Sequence, residues 1–178
     1  MKAIKSNGGP LIGLDRDHMR LWTGIDGKGF IGDDAPFSND YEAGCDLLGG
    51  PRYCPRSISK IAGVAAEGLL ISMPLQTAVV PLDRDAIYIA QVEYADTEWD
   101  FHMVGPSDYD RAVFDPMQNV SFSCKACTYV FFDAAYAGDE IVDDCITFDL
   151  DAGQYVFSTS LYNQNKRTGL ILCKITSL

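Results

Sequence analysis

The chain predicts a mainly β protein of the α+β type. The expected architecture is an antiparallel β-sandwich of about eight or nine strands with two or three short helices. Three observations carry this reading. From residue 57 onward, short runs rich in Ile, Val, Leu and Tyr recur, each bounded by Gly, Pro or Asp. Within residues 146–162 the alternation is strict: Ile146, Phe148 and Leu150 share one face, with Thr147 and Asp149 on the other. Tyr155, Phe157, Thr159 and Leu161 then point one way, and Val156, Ser158, Ser160 and Tyr162 the other. Finally, the linkers DAGQ (151–154) and NQNKRT (163–168) are short and turn-forming, so they predict hairpins and an antiparallel sheet, one layer of a sandwich.

Taken in order, PLIGL (10–14) reads as a strand after the Gly8-Gly9 turn. Asp15 is placed to cap a short helix, RDHMRLW, that Gly24 stops. The Gly- and Asp-rich stretch IDGKGFIGDDAPFSND (25–40) reads as an exposed loop. DYEAGCDLL (40–48) sets Tyr41, Cys45 and Leu48 on one helical face, with Asp40 as the N-cap. Strands follow in SISKIAGVA, GLLISM, QTAVVPL and AIYIAQVEYA. DTEWDFHMV (96–104) suggests a helical turn, and NVSFSC, TYVFFDA, CITFDL, QYVFSTSLY and TGLILCKI complete the β region. In TYVFFDA, Val130 and Phe132 alternate with Tyr129, Phe131 and Asp133, so at least one face of that strand is buried.

At 178 residues the length fits one domain, 1–178. Within it, residues 1–56 form a loop-and-helix-rich part packed on the sheet, and residues 57–178 form the antiparallel β region. With 47% hydrophobic residues the chain has ample material for a core. Its charge is lopsided: 14 Lys and Arg against 25 Asp and Glu, a net −11. Phosphate contacts need clustered cations, so nucleic acid is excluded as a partner, and an anionic membrane surface would repel the chain. A basic protein is the partner that such a charge attracts. The N-terminal MKAIKSNGGPLIGLDRD lacks the apolar core of a signal peptide, and no apolar stretch is long enough to cross a membrane. The expected compartment is the cytoplasm, where thiols stay reduced.

Six cysteines invite a chemical reading. Cys124 and Cys127 are spaced C-x-x-C, but Cys45, Cys54, Cys145 and Cys173 supply no second pair, and His18 and His102 stand alone. A structural zinc site needs four such ligands, and a redox C-x-x-C sits at a helix N-terminus rather than between strand-like VSFS and TYVFF. The expectation is therefore turn or core cysteines, with no metal and no cofactor. There is no G-x-S-x-G or H-E-x-x-H motif. GIDGKGFIG (24–32) fits neither a P-loop nor a dinucleotide loop, and ITFDLDAG (146–153) lacks the ligand series of a calcium loop. No catalytic residue is assigned, and the chain is not expected to be an enzyme.

What remains is surface. Acids cluster at Asp33, Asp34, Asp40 and Glu42; at Asp96, Glu98 and Asp100; and at Asp139, Glu140, Asp143 and Asp144. Trp22, Tyr41, Tyr109 and Tyr136 lie near them, and aromatic anchors ringed by charge are the composition of protein-binding hot spots. Asp33, Asp34, Tyr41, Glu42, Asp139, Glu140, Asp143 and Asp144 are accordingly the partner-binding candidates.

Nearly the whole chain resembles the immunity protein 21 family. The segments that carry the resemblance are GGPLIGL (8–14), LWTG (21–24), DYEAGCD (40–46), GLLIS (68–72), LQTAVVPL (75–82) and QVEYAD (91–96). YVFFDAAYAGDE (129–140), ITFDLDAGQYVFSTSLY (146–162) and TGLILCKI (168–175) continue it in the same order. It departs where MKAIKSN stands in place of an early Trp, and loop 25–39 reads as an insertion. The resemblance implies an immunity protein of a bacterial polymorphic toxin system, binding and neutralising a cognate toxin domain in the producing cell. It supplies no functional residues to place on this chain. A second reading stays open: a β-sandwich module that binds a sugar or peptide without catalysis. In that case Tyr155, Phe157 and Tyr162 are the aromatic residues of interest.

Overall fold

The computed structural model describes residues 2–4, 9–49, 55–58, 68–71, 76–83, 86–95, 104–114, 119–141, 143–165 and 168–178. Among them the chain forms eleven strands in two antiparallel sheets, with two α-helices and one 3-10 turn. In chain order the strands are β1 (Lys2–Ile4), β2 (Leu11–Asp15), β3 (Arg56–Ile58), β4 (Gly68–Ile71), β5 (Gln76–Asp83) and β6 (Ala86–Ala95). They continue with β7 (Val120–Cys124), β8 (Cys127–Asp133), β9 (Cys145–Leu150), β10 (Gly153–Asn165) and β11 (Thr168–Ser177). One sheet has the order β1-β5-β6-β11-β10-β7 and the other β3-β4-β2-β8-β9.

The inner faces share one core. Leu11, Tyr129, Phe131 and Ile146 of the five-stranded sheet pack with Ile89, Phe122, Phe157 and Ile171 of the six-stranded sheet. This is the expected antiparallel sandwich. The strand count exceeds the eight or nine expected, and two of the strands, β1 and β3, have only three residues each, too few for alternation to show. Residues 59–65 of the expected strand SISKIAGVA and residues 96–103 of the expected helical turn lie outside the described residues.

DAGQ is not a hairpin. β9 pairs with β8, while β10 pairs with β7 and β11. The register nevertheless runs without a slip: Val120 faces Phe157, Cys124 faces Gly153, Cys127 faces Leu150 and Phe132 faces Cys145. Residues 120–133 and 145–157 are thus one long two-stranded ribbon. It bends from one sheet into the other at Lys125–Ala126 and Asp151–Ala152. All four corner residues are exposed, so the bend removes no apolar side chain from the core. The β10–β11 hairpin does form, and its strand pairing extends into the segment NQNKRT as far as Asn165 and Thr168.

Both outer faces are covered. α2 (Pro106–Arg111) and its flanks place Val104 and Tyr109 against Ala90, Val92, Leu170 and Leu172 of the six-stranded sheet. On the five-stranded sheet, residues 16–49 and the turn after β8 cover Ile12, Leu14, Leu70, Val130 and Phe132. β8 is therefore buried on both faces, beyond the one that the alternation required.

Candidate partner-binding face

The layer over the five-stranded sheet is organised by hydrogen bonds rather than by regular structure. The expected helix 16–22 shrinks to a 3-10 turn, Met19–Leu21. Asp15 is not its cap: the turn starts from His18 without a side-chain cap, and Asp15 instead closes the preceding turn, accepting from the His18 N–H at 2.9 Å. The turn ends where the Trp22 carbonyl accepts from the Gly138 N–H at 2.8 Å and the Trp22 Nε1–H donates to the Ala134 carbonyl at 2.8 Å. Trp22 is 1% exposed and meets Phe30 edge-on, with ring centroids 5.1 Å apart. Gly24, at φ +57°, lets the chain pass against Ala135 and Tyr136, where a side chain would collide with their backbone. The next residue, Ile25, donates from its N–H to the Ala135 carbonyl at 3.2 Å.

α1 (Asp40–Leu47) follows. Its N-cap is Asn39, whose side chain accepts from the Glu42 N–H at 2.8 Å, and not Asp40. Asp40 instead turns inward. Its carboxylate is fully buried and gathers four donors: the Thr23 N–H and Oγ1–H, each at 2.8 Å, the Phe30 N–H at 2.9 Å and the Ile31 N–H at 3.0 Å. The Gly-rich loop is thus wrapped around a carboxylate, which accounts for its fixed path. Asp40 accordingly leaves the exposed acidic cluster to which the sequence assigned it. Gly44 brings α1 close to the sheet: a Cβ there would stand 3.2 Å from the Trp22 ring and 3.5 Å from Leu70. Tyr41 and Leu48 pack on the layer as expected.

The eight candidate residues all fall on this layer. Asp33, Asp34 and Glu42 sit on the 22–42 segment, and Asp139, Glu140, Asp143 and Asp144 on the loop between β8 and β9; all seven are exposed. The Trp22 indole bond to Ala134 and the backbone bonds of Trp22 with Gly138 and of Ile25 with Ala135 join the two segments. Glu42 is also structural, since its Oε2 accepts from the Ser38 N–H at 2.9 Å. Tyr41 is half-buried and hydrogen-bonded to the Cys45 thiol, with burial first and that bond second raising its pKa. Among the described residues, no ion pair neutralises Asp33, Asp34, Asp139, Glu140, Asp143 or Asp144. Lys28 is spent on the loop itself, donating to the Asp33 and Ala35 carbonyls.

The charge asymmetry is large. Residues 16–49 and 134–144 hold eleven acids and three bases (Arg16, Arg20 and Lys28), so this layer has a net −8 of the chain's −11. Among the acids stand large apolar groups in water: Ile25 is 58% exposed, Tyr136 48% and Leu47 46%. Ile25 adjoins Tyr136 through the Ala135 hydrogen bond, and Asp26, Asp139 and Glu140 follow within a few residues. Tyr136 was named from the sequence; Ile25, in the loop read as exposed, and Leu47, off the helical face of Tyr41, Cys45 and Leu48, were not. Trp22 and Tyr109, also noted beside acids, are core. The cluster Asp96, Glu98 and Asp100 lies outside the described residues.

Chemistry is sparse elsewhere. Among the described residues no group of three or more His, Cys, Asp or Glu side chains converges as a metal site. The Cys124 and Cys127 Sγ atoms are 3.2 Å apart at the ribbon's corner, where β7 ends and β8 begins, rather than at a helix N-terminus. Burial pushes the Cys127 thiol up; the Cys124 contact pulls it down by less, and the carboxylates of Asp15, Asp17 and Asp149 add to the rise, so the net direction is opposite to an activated thiol. Between the sheet ends lies a cleft of about 530 Å³ lined by Ile87, Phe148, Tyr155, Ile175, Asp149 and Asp151 among others. No helix among the described residues is long and apolar enough to cross a membrane. Compared with family models, curated proteins and solved structures, the chain matches none.

Proposed function

We propose that this chain is a cytoplasmic immunity protein, binding a cognate bacterial toxin domain through the acidic layer over its five-stranded sheet and so neutralising it. The observation that supports this reading most is the concentration of net charge and exposed apolar groups in one layer. A net −8 surrounds Ile25, Tyr136 and Leu47, the mixture that steers a basic partner in and then anchors it. The ordered resemblance to the immunity protein 21 family points the same way. Such a role needs no catalytic group, only a preformed surface of about 800 Å² per partner. Asp40 and the backbone bonds from Trp22 supply the preformation, because they fix the acids before the partner arrives.

A second reading has one observation behind it: the cleft at the sandwich end suits a sugar or peptide. Its aromatic walls are Phe148 and Tyr155. Phe157 lies in the core and Tyr162 on the far face, so neither takes part in such binding.

The discriminating experiment measures binding of the purified chain to the C-terminal toxin domain encoded beside it, at low and at high salt. Tight binding that weakens with salt supports the acidic layer. No binding at micromolar concentration removes the immunity reading and turns attention to the cleft.

A further inference from the structure

We infer that Cys124 and Cys127 form a modification site, a dithiol that a low-molecular-weight disulfide oxidises to an intramolecular Cys124–Cys127 disulfide at the ribbon's corner. Placement carries this. Residues three apart in a continuous strand point away from one another and stand far apart. Here the strand bends at Lys125–Ala126 to enter the second sheet, and the bend brings the two Sγ atoms to 3.2 Å. Lys125 and Ala126 are exposed and both thiols are partly so, which gives a small disulfide access. The other described cysteines are poorer sites. Cys173 is fully buried, Cys145 is 7% exposed, and Cys45 is hydrogen-bonded to Tyr41.

The step balances as ordinary thiol–disulfide exchange. One corner thiol loses its proton to water and attacks a sulfur of the small disulfide, releasing one small thiolate and leaving a mixed disulfide. The second corner thiolate then attacks the protein-side sulfur and expels the other small thiolate. Two thiol protons pass through solvent to the two released thiolates, and two electrons reduce the small disulfide. Burial first, and the nearby acids after it, hold the Cys127 thiol up, so the exchange is slow and the site is a substrate for oxidation and not a catalyst of it. Once closed, the bond clamps the corner through which both sheets share one ribbon.

The test equilibrates the whole chain with buffers of reduced and oxidised glutathione and maps disulfides by mass spectrometry without reduction. The expected result is a loss of two hydrogens within the peptide holding Cys124 and Cys127, ahead of any change at Cys45, Cys54, Cys145 or Cys173. The expected Tm rise is about 4–8 °C for so short a loop. Cys124→Ser and Cys127→Ser should each stop at a glutathione mixed disulfide on the remaining thiol. Two glutathiones on the corner peptide at equilibrium, a pair of unmodified thiols there, or a lower Tm after closure would overturn the inference.

Discussion

Asp40→Asn tests the claim that one buried carboxylate organises the acidic layer. The substitution keeps the side chain's shape but replaces one acceptor oxygen with an amide that can only donate. Four donors converge on the carboxylate: two from Thr23 and one each from Phe30 and Ile31. An asparagine oxygen cannot serve them all, and its amide nitrogen faces other donors. The Phe30 N–H reaches both carboxylate oxygens, at 3.0 and 2.9 Å, so it keeps one of them, and the amide nitrogen faces either the two Thr23 donors or the Ile31 N–H. An orphaned buried donor costs about 1–3 kcal/mol, and bonds to a charged group are worth about 1.5–3 kcal/mol. Thr23 and Ile31 are half-buried, so water offsets part of their loss. The expected loss is about 3 kcal/mol, or roughly 6–12 °C in Tm for a chain of this length. Urea and thermal unfolding of the variant beside wild type measure it. Asn39→Ala, which removes only the helix cap, serves as the yardstick at about 1 kcal/mol. A loss below 1 kcal/mol, or one smaller than that of Asn39→Ala, would refute the hub.

Gly138→Ala should lose more than about 2 kcal/mol, because a Cβ there overlaps the Met19 carbonyl and pries the β8–β9 loop from the Trp22 segment. Near-UV circular dichroism should show Trp22 loosened before global unfolding. Tyr109→Phe should stabilise the chain by up to about 1 kcal/mol, since the Tyr109 hydroxyl is buried without a hydrogen-bond partner among the described residues. The same variant tests a pH effect. Burial holds the folded Tyr109 pKa far above its unfolded value of about 10. The unfolded chain therefore releases this proton first as pH rises. The contribution is intact below about pH 10 and is lost above it, as pH climbs toward the folded value. Urea midpoints between pH 8 and 11 should fall less steeply for Tyr109→Phe, and an unchanged slope would count against that burial.

The sandwich was legible because its strands bury alternate residues, and alternation is local information. Ile146, Phe148 and Leu150 do share the inner face, Tyr155 and Phe157 follow them, and Tyr162 takes the other side. Pairing was less legible. DAGQ has hairpin chemistry, but a corner between sheets asks for the same small and polar residues, and only the register of β7 and β8 tells them apart. Asp40 was misread for a related reason. Asn39 and Asp40 are both good caps, and the choice rests on where Thr23, Phe30 and Ile31 place their donors, which no local pattern encodes. Charge clustering was visible in sequence. That Ile25 and Leu47 would be exposed apolar groups in the same layer was not, because spacing along the chain does not say which apolar side chains find cover.

The acidic layer separates a functional reading from a merely solubilising one by the sign of two effects. Eleven acids held by backbone bonds over one sheet repel one another, and among the described residues no ion pair relieves Asp139, Glu140, Asp143 or Asp144. Their carboxylates are exposed, so they contribute nothing to the core. Replacing all four with Asn or Gln should therefore leave stability unchanged or raise it by a few tenths of a kcal/mol. Replacing them with Lys should carry the same structural indifference. If the layer captures a basic toxin domain, reversal should slow association by about 10–100-fold at low salt, with little change in dissociation, and the deficit should shrink as salt rises. Gained stability with lost capture is the pattern of charge kept for a partner. Stopped-flow association alongside urea unfolding of the same variants reads both. Unaltered association after all four are reversed would remove this loop from the interface and leave Asp33, Asp34 and the Ile25–Tyr136 pair to carry the surface.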